Sequence, residues 1–307
     1  MYLESLLHRI RWMDDTLVLL NARAGALIDM GADRAREALD TALKGRAGRV
    51  EIRLVRPGSL KDEIQRAAQS DISTLIVGGG DGSVNCAAHA LAGTSKTLGV
   101  LPFGTMNLFA RDLGLPANVE AAIEAIGDAK PRRIDLARVN GRHFHSLSGL
   151  GFFSQMARAR EEVRGHKLGR LVGVGIAALR ALRRTAPFEL DIRTENRREH
   201  VEAVAVLITN NRFGPDWRRP SLDEGLLEIH IAEHAGALSK LKASANLLAG
   251  TWRNDDDTDG IRSIVARHLV IGRKRRRTFA ATDGELRREY IPMRYEMRPG
   301  ALTVLSL

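Results

Sequence analysis

A carboxylate set among glycines is the feature of this chain that most invites chemistry. Asp81 stands in the run Gly78-Gly79-Gly80-Asp81-Gly82-Ser83, after the apolar Leu75-Ile76-Val77 and before Val84-Asn85-Cys86-Ala87-Ala88-His89-Ala90-Leu91. That order predicts a strand, a tight turn and a helix, with the turn at the carboxyl end of the strand, where open α/β sheets hold their ligands. Glycine lets the backbone approach a phosphate closely, because no Cβ intervenes, and the amides of the turn and the helix N-terminus favour an anion. A carboxylate beside a polyphosphate is repelled unless a cation lies between them. Asp81 therefore predicts either Mg²⁺ or a side chain turned inward. A plain glycine-rich turn with an Asp at a helix start would use the same residue types.

Two more strand ends carry similar residues. The apolar stretch Thr16–Leu20 ends in Asn21-Ala22-Arg23-Ala24-Gly25, and Thr97–Leu101 runs into Pro102-Phe103-Gly104-Thr105-Met106-Asn107. Gly104 permits close backbone approach, while Thr105 and Asn107 add uncharged hydrogen-bonding groups. Late in the chain comes Asp283-Gly284-Glu285. If that triplet is extended, both carboxylates face one side; if Asp-Gly makes a β-turn, they do not.

The elements that must position these loops read as β-α-β-α-β-α. Ala32–Leu43 is a helix, Val50–Val55 a strand closed by Pro57-Gly58, and Leu60–Gln69 a helix capped by Ser59; Leu108–Asp112 and Val119–Ile126 are short helices. This rhythm implies a parallel sheet with helices on both faces. The character changes at 127–133, where Lys130-Pro131-Arg132-Arg133 reads as a linker. Beyond it, Ile134–Val139 and His143–Leu147 flank Asn140-Gly141, a hairpin signal. Gly149-Leu150-Gly151 continues into Phe152-Phe153. Further strands are expected at Phe188–Arg193, Val201–Ile208, Leu226–Ala232, His268–Ile271, Tyr290–Met297 and Ala301–Leu305. The fold class is α/β followed by β. The break sets residues 1–130, an expected α/β unit, apart from residues 131–307, where antiparallel strands are expected.

Composition narrows the partners. The 307 residues suit two domains, and 47 Lys+Arg against 37 Asp+Glu leave a net charge of +10, which favours an anionic partner. Aromatics at 5% argue against a base-stacking single-strand binder, and no nucleic-acid reader motif is present. The lone Cys86 cannot form an internal disulfide and fits a reducing cytoplasm. Met1–Trp12 is too charged for a signal segment, though Leu3, Leu6, Leu7 and Ile10 share a helical face; no run of 18 apolar residues occurs. Arg273-Lys274-Arg275-Arg276-Arg277 is either a solvated face or one that meets anionic head groups. Gly173-Val174-Gly175 falls in the helical pattern Leu168–Arg184, the wrong context for a dinucleotide fingerprint, and Asp255-Asp256-Asp257 reads as a solvated loop. No Walker A lysine motif, His-Glu-x-x-His or Cys-x-x-Cys is found.

Gly79-Gly80-Asp81-Gly82-Ser83 resembles the Gly-Gly-Asp-Gly-Thr signature shared by diacylglycerol kinases, sphingosine kinases and NAD kinases. Pro102-Phe103-Gly104-Thr105-Met106-Asn107, with Phe109-Ala110-Arg111 after it, is similar to the second lipid-kinase signature. Asn21–Gly25 resembles that family's nucleotide loop, and Asp283-Gly284-Glu285 its late Asp-Gly-Glu triplet. The order and spacing cover nearly the whole chain.

The resemblance implies an α/β/α parallel-sheet nucleotide domain over 1–130 and an antiparallel β-sandwich acceptor domain over 131–307, whose last residues would pack back on the first. It implies an active site between them, with ATP, Mg²⁺ and a lipid hydroxyl acceptor such as diacylglycerol, within phospholipid metabolism. Asn21, Arg23, Gly79, Gly80, Asp81, Gly82, Ser83, Gly104, Thr105 and Asn107 would line the nucleotide cleft, and Asp81 and Glu285 would meet the catalytic Mg²⁺. Asp283 would be the general base, Glu285 its support, and Asp135 an assisting acid. Glu224 and Leu226 would hold a structural Mg²⁺. A cytoplasmic enzyme in transient contact with an anionic membrane surface follows, and a homodimer is compatible with it. Departures from the family pattern are Ser83 for Thr, Ala22 for Pro, Cys86 for Glu, Leu108 for Asp and Glu224 for Asp. The rivals are a kinase of another acceptor, such as NAD or a sugar phosphate, and a non-catalytic nucleotide- or lipid-binding protein.

Overall fold

The computed structural model describes residues 14–104, 107–163, 180–181, 183–214, 218–233 and 261–307. The expectations placed on Met1–Trp12, Thr105, Gly173–Gly175 and Asp255–Asp257 lie outside the described residues. The chain divides into two compact units. One runs to Ile134 and takes in Gly300–Leu307; the other is Asp135–Pro299.

In the first unit, β1 (Thr16–Asn21), β2 (Val50–Val55), β3 (Thr74–Gly79) and β4 (Thr97–Pro102) form a parallel sheet in the order β2-β1-β3-β4. The end of β15 (Met293–Ser306) adds beside β4, with Thr303 opposite Thr97. Val18, Leu19, Leu20, Leu75, Ile76, Val77 and Leu98 are closed off from solvent, as continuous apolar strands covered on both faces should be. The chain steps from β1 out to β2, then returns past β1 to β3. Right-handed crossovers accordingly place α1 (Gly25–Met30), α2 (Ala32–Leu43) and α6 (Val119–Ile126) on one face, and α3 (Pro57–Gln69) and α4 (Asp81–Leu91) on the other. α2 packs with α6, and α3 with α4.

Two local expectations need correction. α3 begins at Pro57, not Leu60, because proline at the first helical position gives up an amide that has no partner there anyway; Ser59 lies inside the helix. Lys130–Arg133 opens β5 (Lys130–Val139) instead of forming a linker. Arg133 donates from Nε and Nη2 to the Gly300 carbonyl, at 3.0 and 2.8 Å. That partner lies far off in sequence, so local composition carries no trace of it.

The second unit is antiparallel. β6 (Arg142–Phe144) pairs with β5, and a longer path runs β14 (Glu285–Tyr290), β13 (Arg277–Thr282), β7 (Leu147–Gly151), β9 (Arg198–Asn210), β8 (Phe188–Thr194), β12 (His268–Gly272) and β15. β10 (Leu227–Glu233) joins β9, and β11 (Ile261–Ala266) joins β10. Inward-facing Phe144, Leu150, Leu190, Val206, Ile229, Leu269 and Tyr295 form its core. The class is therefore the expected α/β unit with an antiparallel β-sandwich. Phe152 and Phe153 do not extend β7 but open α7 (Phe152–Val163). Gly151, at φ 65°, makes that turn, and a Cβ there would sit 2.3 Å from the Val204 carbonyl oxygen.

Candidate functional site

The winding of the first sheet reverses between β1 and β3, and the crevice beyond their carboxyl ends is where ligands of such sheets bind. Leu20 is opposite Gly78 in the register, so Asn21 and Gly79 leave the sheet side by side. Asn21 Oδ1 accepts from the Arg23 amide at 3.1 Å, which turns the chain back on itself. A Cβ on Gly79 would lie 2.7 Å from Ser83 Oγ and 3.6 Å from the Asn21 Cβ. Gly80 precedes α4 with no side-chain cap, which leaves first-turn amides for an anionic ligand.

The third loop meets the second glycine to glycine. A Cβ on Gly104 would fall 2.4 Å from the Gly80 Cα. Asn107 holds the loop in shape: its Oδ1 accepts from the Gly104 amide at 2.9 Å, and its Nδ2 donates to the carbonyls of Pro102 and Gly104 at 3.0 and 2.9 Å. Its backbone is left-handed at φ 49°, a conformation asparagine tolerates better than most. Asp81 Oδ1 accepts from the Leu108 amide at 3.0 Å, tying the start of α4 to the start of α5 (Leu108–Asp112). Asn21, Gly79, Gly80, Asp81, Ser83, Gly104 and Asn107 thus form one connected cluster. Asn85 was not singled out from the sequence. It is buried on α4, and its Oδ1 meets no donor among the described residues; its place two residues after Ser83 was the available signal.

Asp283 is held differently. Asp283 and Gly284 have φ 47° and 82°, the two positive values of a type I′ hairpin turn between β13 and β14. The carboxylate folds onto the β6–β7 connection. Oδ2 accepts from the His145 amide at 2.9 Å, and Oδ1 from the Ser146 and Leu147 amides at 3.0 and 3.2 Å. The side chain is 2% exposed, with His145 Nε2 at 3.8 Å. Behind it, Ser148 Oγ bonds Thr282 Oγ1 at 2.9 Å and the Tyr295 hydroxyl at 3.1 Å. Burial pushes the Tyr295 phenol well up, and the Ser148 bond offsets part of that. Glu285 is exposed and ion-paired with Arg287, with Arg287 Nε at 3.0 Å. The turn therefore sends the two carboxylates to different partners.

The loop at 221–226 shows how its acids are used. Ser221 donates to the Asp223 carboxylate. Arg212 Nη1 lies 3.3 Å from Glu224 Oε2, and the Leu226 carbonyl accepts from the Asn211 amide at 2.9 Å. The buried Asp135 accepts from the Gly225 amide at 2.7 Å through Oδ2. The cation that Glu224 meets in this structure is the Arg212 guanidinium. Among the described residues no three His, Cys, Asp or Glu side chains gather as a metal cluster. A magnesium held mainly by substrate phosphates needs only one or two carboxylates. Asp81, on the glycine loop, fits that need.

Comparison with known proteins finds two family models along the chain. Residues 15–139 match the family model described as the diacylglycerol kinase catalytic domain, and residues 155–306 match the YegS C-terminal NAD kinase beta sandwich-like domain. A diacylglycerol kinase of Bacillus subtilis is 29% identical over 207 residues, 64% of this chain and 67% of that one. A probable lipid kinase YegS-like of Enterobacter sp. is 28% identical over 253 residues, 77% of this chain and 82% of the relative. Against an uncharacterized protein, sll0036, of Synechocystis, 29% identical, the match covers 65% of this chain and about half the relative, 47%. The crystal structure of a diacylglycerol kinase from Bacillus anthracis superposes with a TM-score of 0.71 at 21% identity, over 96% of this chain and 97% of that one. That last likeness speaks to the fold.

Proposed function

This chain belongs to the diacylglycerol kinase catalytic-domain family, and from that premise we propose that it transfers the γ-phosphoryl group of ATP to the hydroxyl of a lipid, diacylglycerol or a related alcohol. One observation carries the reading: the contact of Gly80 with Gly104, locked by Asn107 and by the Asp81–Leu108 bond, at the switch point of the parallel sheet. Phosphoryl transfer asks a protein chiefly to position groups and offset charge. Backbone amides that no Cβ shields, on loops that hold one another in place, are suited to that task.

In this proposal Asn21, Arg23, Gly79, Gly80, Gly82, Ser83, Gly104, Thr105 and Asn107 line the nucleotide, and Asp81 faces its metal. Mg²⁺ would neutralise the phosphate oxygens and so ease attack by the alcohol. Asp283 is proposed to accept the alcohol proton. Three amides hold its carboxylate in one orientation. Glu285, exposed beside it in sequence, is the proposed support, and Asp135 holds the 221–225 loop. The enzyme would work in the cytoplasm at a membrane surface, in lipid metabolism; no described helix is long and apolar enough to cross a bilayer.

The test is a transfer assay with labelled ATP, Mg²⁺ and mixed micelles of diacylglycerol, ceramide or sphingosine, with NAD in parallel. Label in a lipid supports the proposal. Label in NAD alone overturns the lipid acceptor, and nucleotide binding without transfer to any acceptor overturns the kinase.

A further inference from the structure

The hairpin that carries Asp283 presents an exposed face of aromatic and arginine side chains. In the β13–β14 register Arg277 is opposite Tyr290, Phe279 opposite Arg288, and Ala281 opposite Leu286, so these six share one face, exposed at the first four and closed at Ala281. Phe279 is 41% and Tyr290 62% exposed, among the few large hydrophobic side chains of the described residues left open to solvent. Each ring carries a guanidinium: Arg158 of α7 lies 4.6 Å over Phe279, and Arg277 lies 4.4 Å over Tyr290. Arg275 and Arg276, both exposed, lead into the hairpin, and β14 ends its path of strands.

Nearby acids do not cancel this charge. Glu289 points to the other face, where it is buried and bonded by Arg142 and Asn140. Glu285 is paired with Arg287, and the Asp283 carboxylate is enclosed.

We propose that this face is where the protein rests on an anionic lipid bilayer, with Phe279 and Tyr290 entering the head-group region and Arg158, Arg275, Arg276, Arg277 and Arg288 meeting lipid phosphates. The proposal deepens the lipid-kinase reading and rests on it for its purpose. Phe279 stands four residues from Asp283, about 13 Å along an extended strand. A bilayer docked there brings lipid hydroxyls to the neighbourhood of the proposed base. Aromatic rings with a polar edge settle at the membrane interface, and basic side chains there are drawn to anionic head groups. Both rings already have a face covered by a guanidinium, which makes them poor platforms for stacking nucleic-acid bases.

The test is co-sedimentation of the full chain, without ATP, with vesicles of pure phosphatidylcholine or of phosphatidylcholine with phosphatidylglycerol. Binding should need phosphatidylglycerol and weaken as salt is raised. Arg277→Ala with Arg288→Ala should lower partitioning about thirty-fold, and Phe279→Ser with Tyr290→Ser should lower it further, with melting temperatures unchanged. Arg36→Ala with Lys44→Ala, on α2 and at its C-terminal end, should leave it within about two-fold. Equal binding to both vesicle types, undiminished binding by the four-site variant, or a preference for an RNA oligonucleotide over the vesicles would overturn the proposal. Vesicle binding is read without turnover, so a protein that phosphorylates no lipid yet docks through this face would sink the kinase reading alone.

Discussion

Asp81 and Asp283 are the same residue type, each beside a glycine, and the two units use them in opposite ways. Asp81 is half-buried on the first turn of a helix and spends one oxygen on one amide, that of Leu108. Asp283 gives its carboxylate to three amides and is 2% exposed. The first clamps two loops together beside a cluster of glycines; the second sits at the centre of a cradle that shapes a hairpin and the strand connection beneath it. The number of amides each acid satisfies measures how far it also builds structure.

The largest effect expected from breaking this contrast is at Asp283. Asp283→Ala leaves buried amides without an acceptor and should cost about 3 kcal/mol, measured by urea unfolding, with turnover lost. Asp283→Asn places an amide NH₂ where only acceptors fit, so part of that cost should remain. If this variant unfolds like the parent but has no turnover, the carboxylate acts on the reaction; if stability and turnover fall together, positioning is the greater part. Gly104→Ala comes next. Its Cβ would meet the backbone of Gly80, and about 2 kcal/mol of stability should go with most of the nucleotide affinity. Gly82→Ala is the matched control for stability alone, since nothing lies within 4 Å of its Cβ.

Asp81→Asn keeps an oxygen to accept from Leu108, so its melting temperature should hold. Turnover in Mg²⁺ should fall on the order of a hundred-fold, and an unchanged rate would remove Asp81 from the metal. Glu285→Gln should be the smallest. An exposed ion pair is worth at most about 0.5 kcal/mol here, and turnover should stay within about three-fold. A Glu285 variant as inactive as the Asp283 one would show that the exposed carboxylate reaches the chemistry.

Much of the first unit was legible because its signals are local. The apolar run Leu75–Val77, the glycines after it and the helix formers beyond are all within one supersecondary unit, and α2, α5 and α6 appear with the expected bounds. The second unit was less legible. Phe152 begins α7 because Gly151 lies against the Val204 carbonyl, a contact between residues some fifty positions apart. Lys130–Arg133 looked like a linker because its partner, Gly300, is at the far end of the chain. The Asp283–Glu285 triplet was readable as an extended pair or as a turn, and only the two positive φ values decide for the turn.

By itself the amino-acid sequence determined the order of strands and helices, the positive charge and the positions of the glycine loops, since periodicity, net charge and backbone freedom belong to short stretches of chain. Tertiary structure alone decided which amides each carboxylate meets, that Gly80 and Gly104 touch, and that Glu224 faces Arg212. Electrostatic environment and close approach depend on what folding brings near, and the groups concerned are many residues apart.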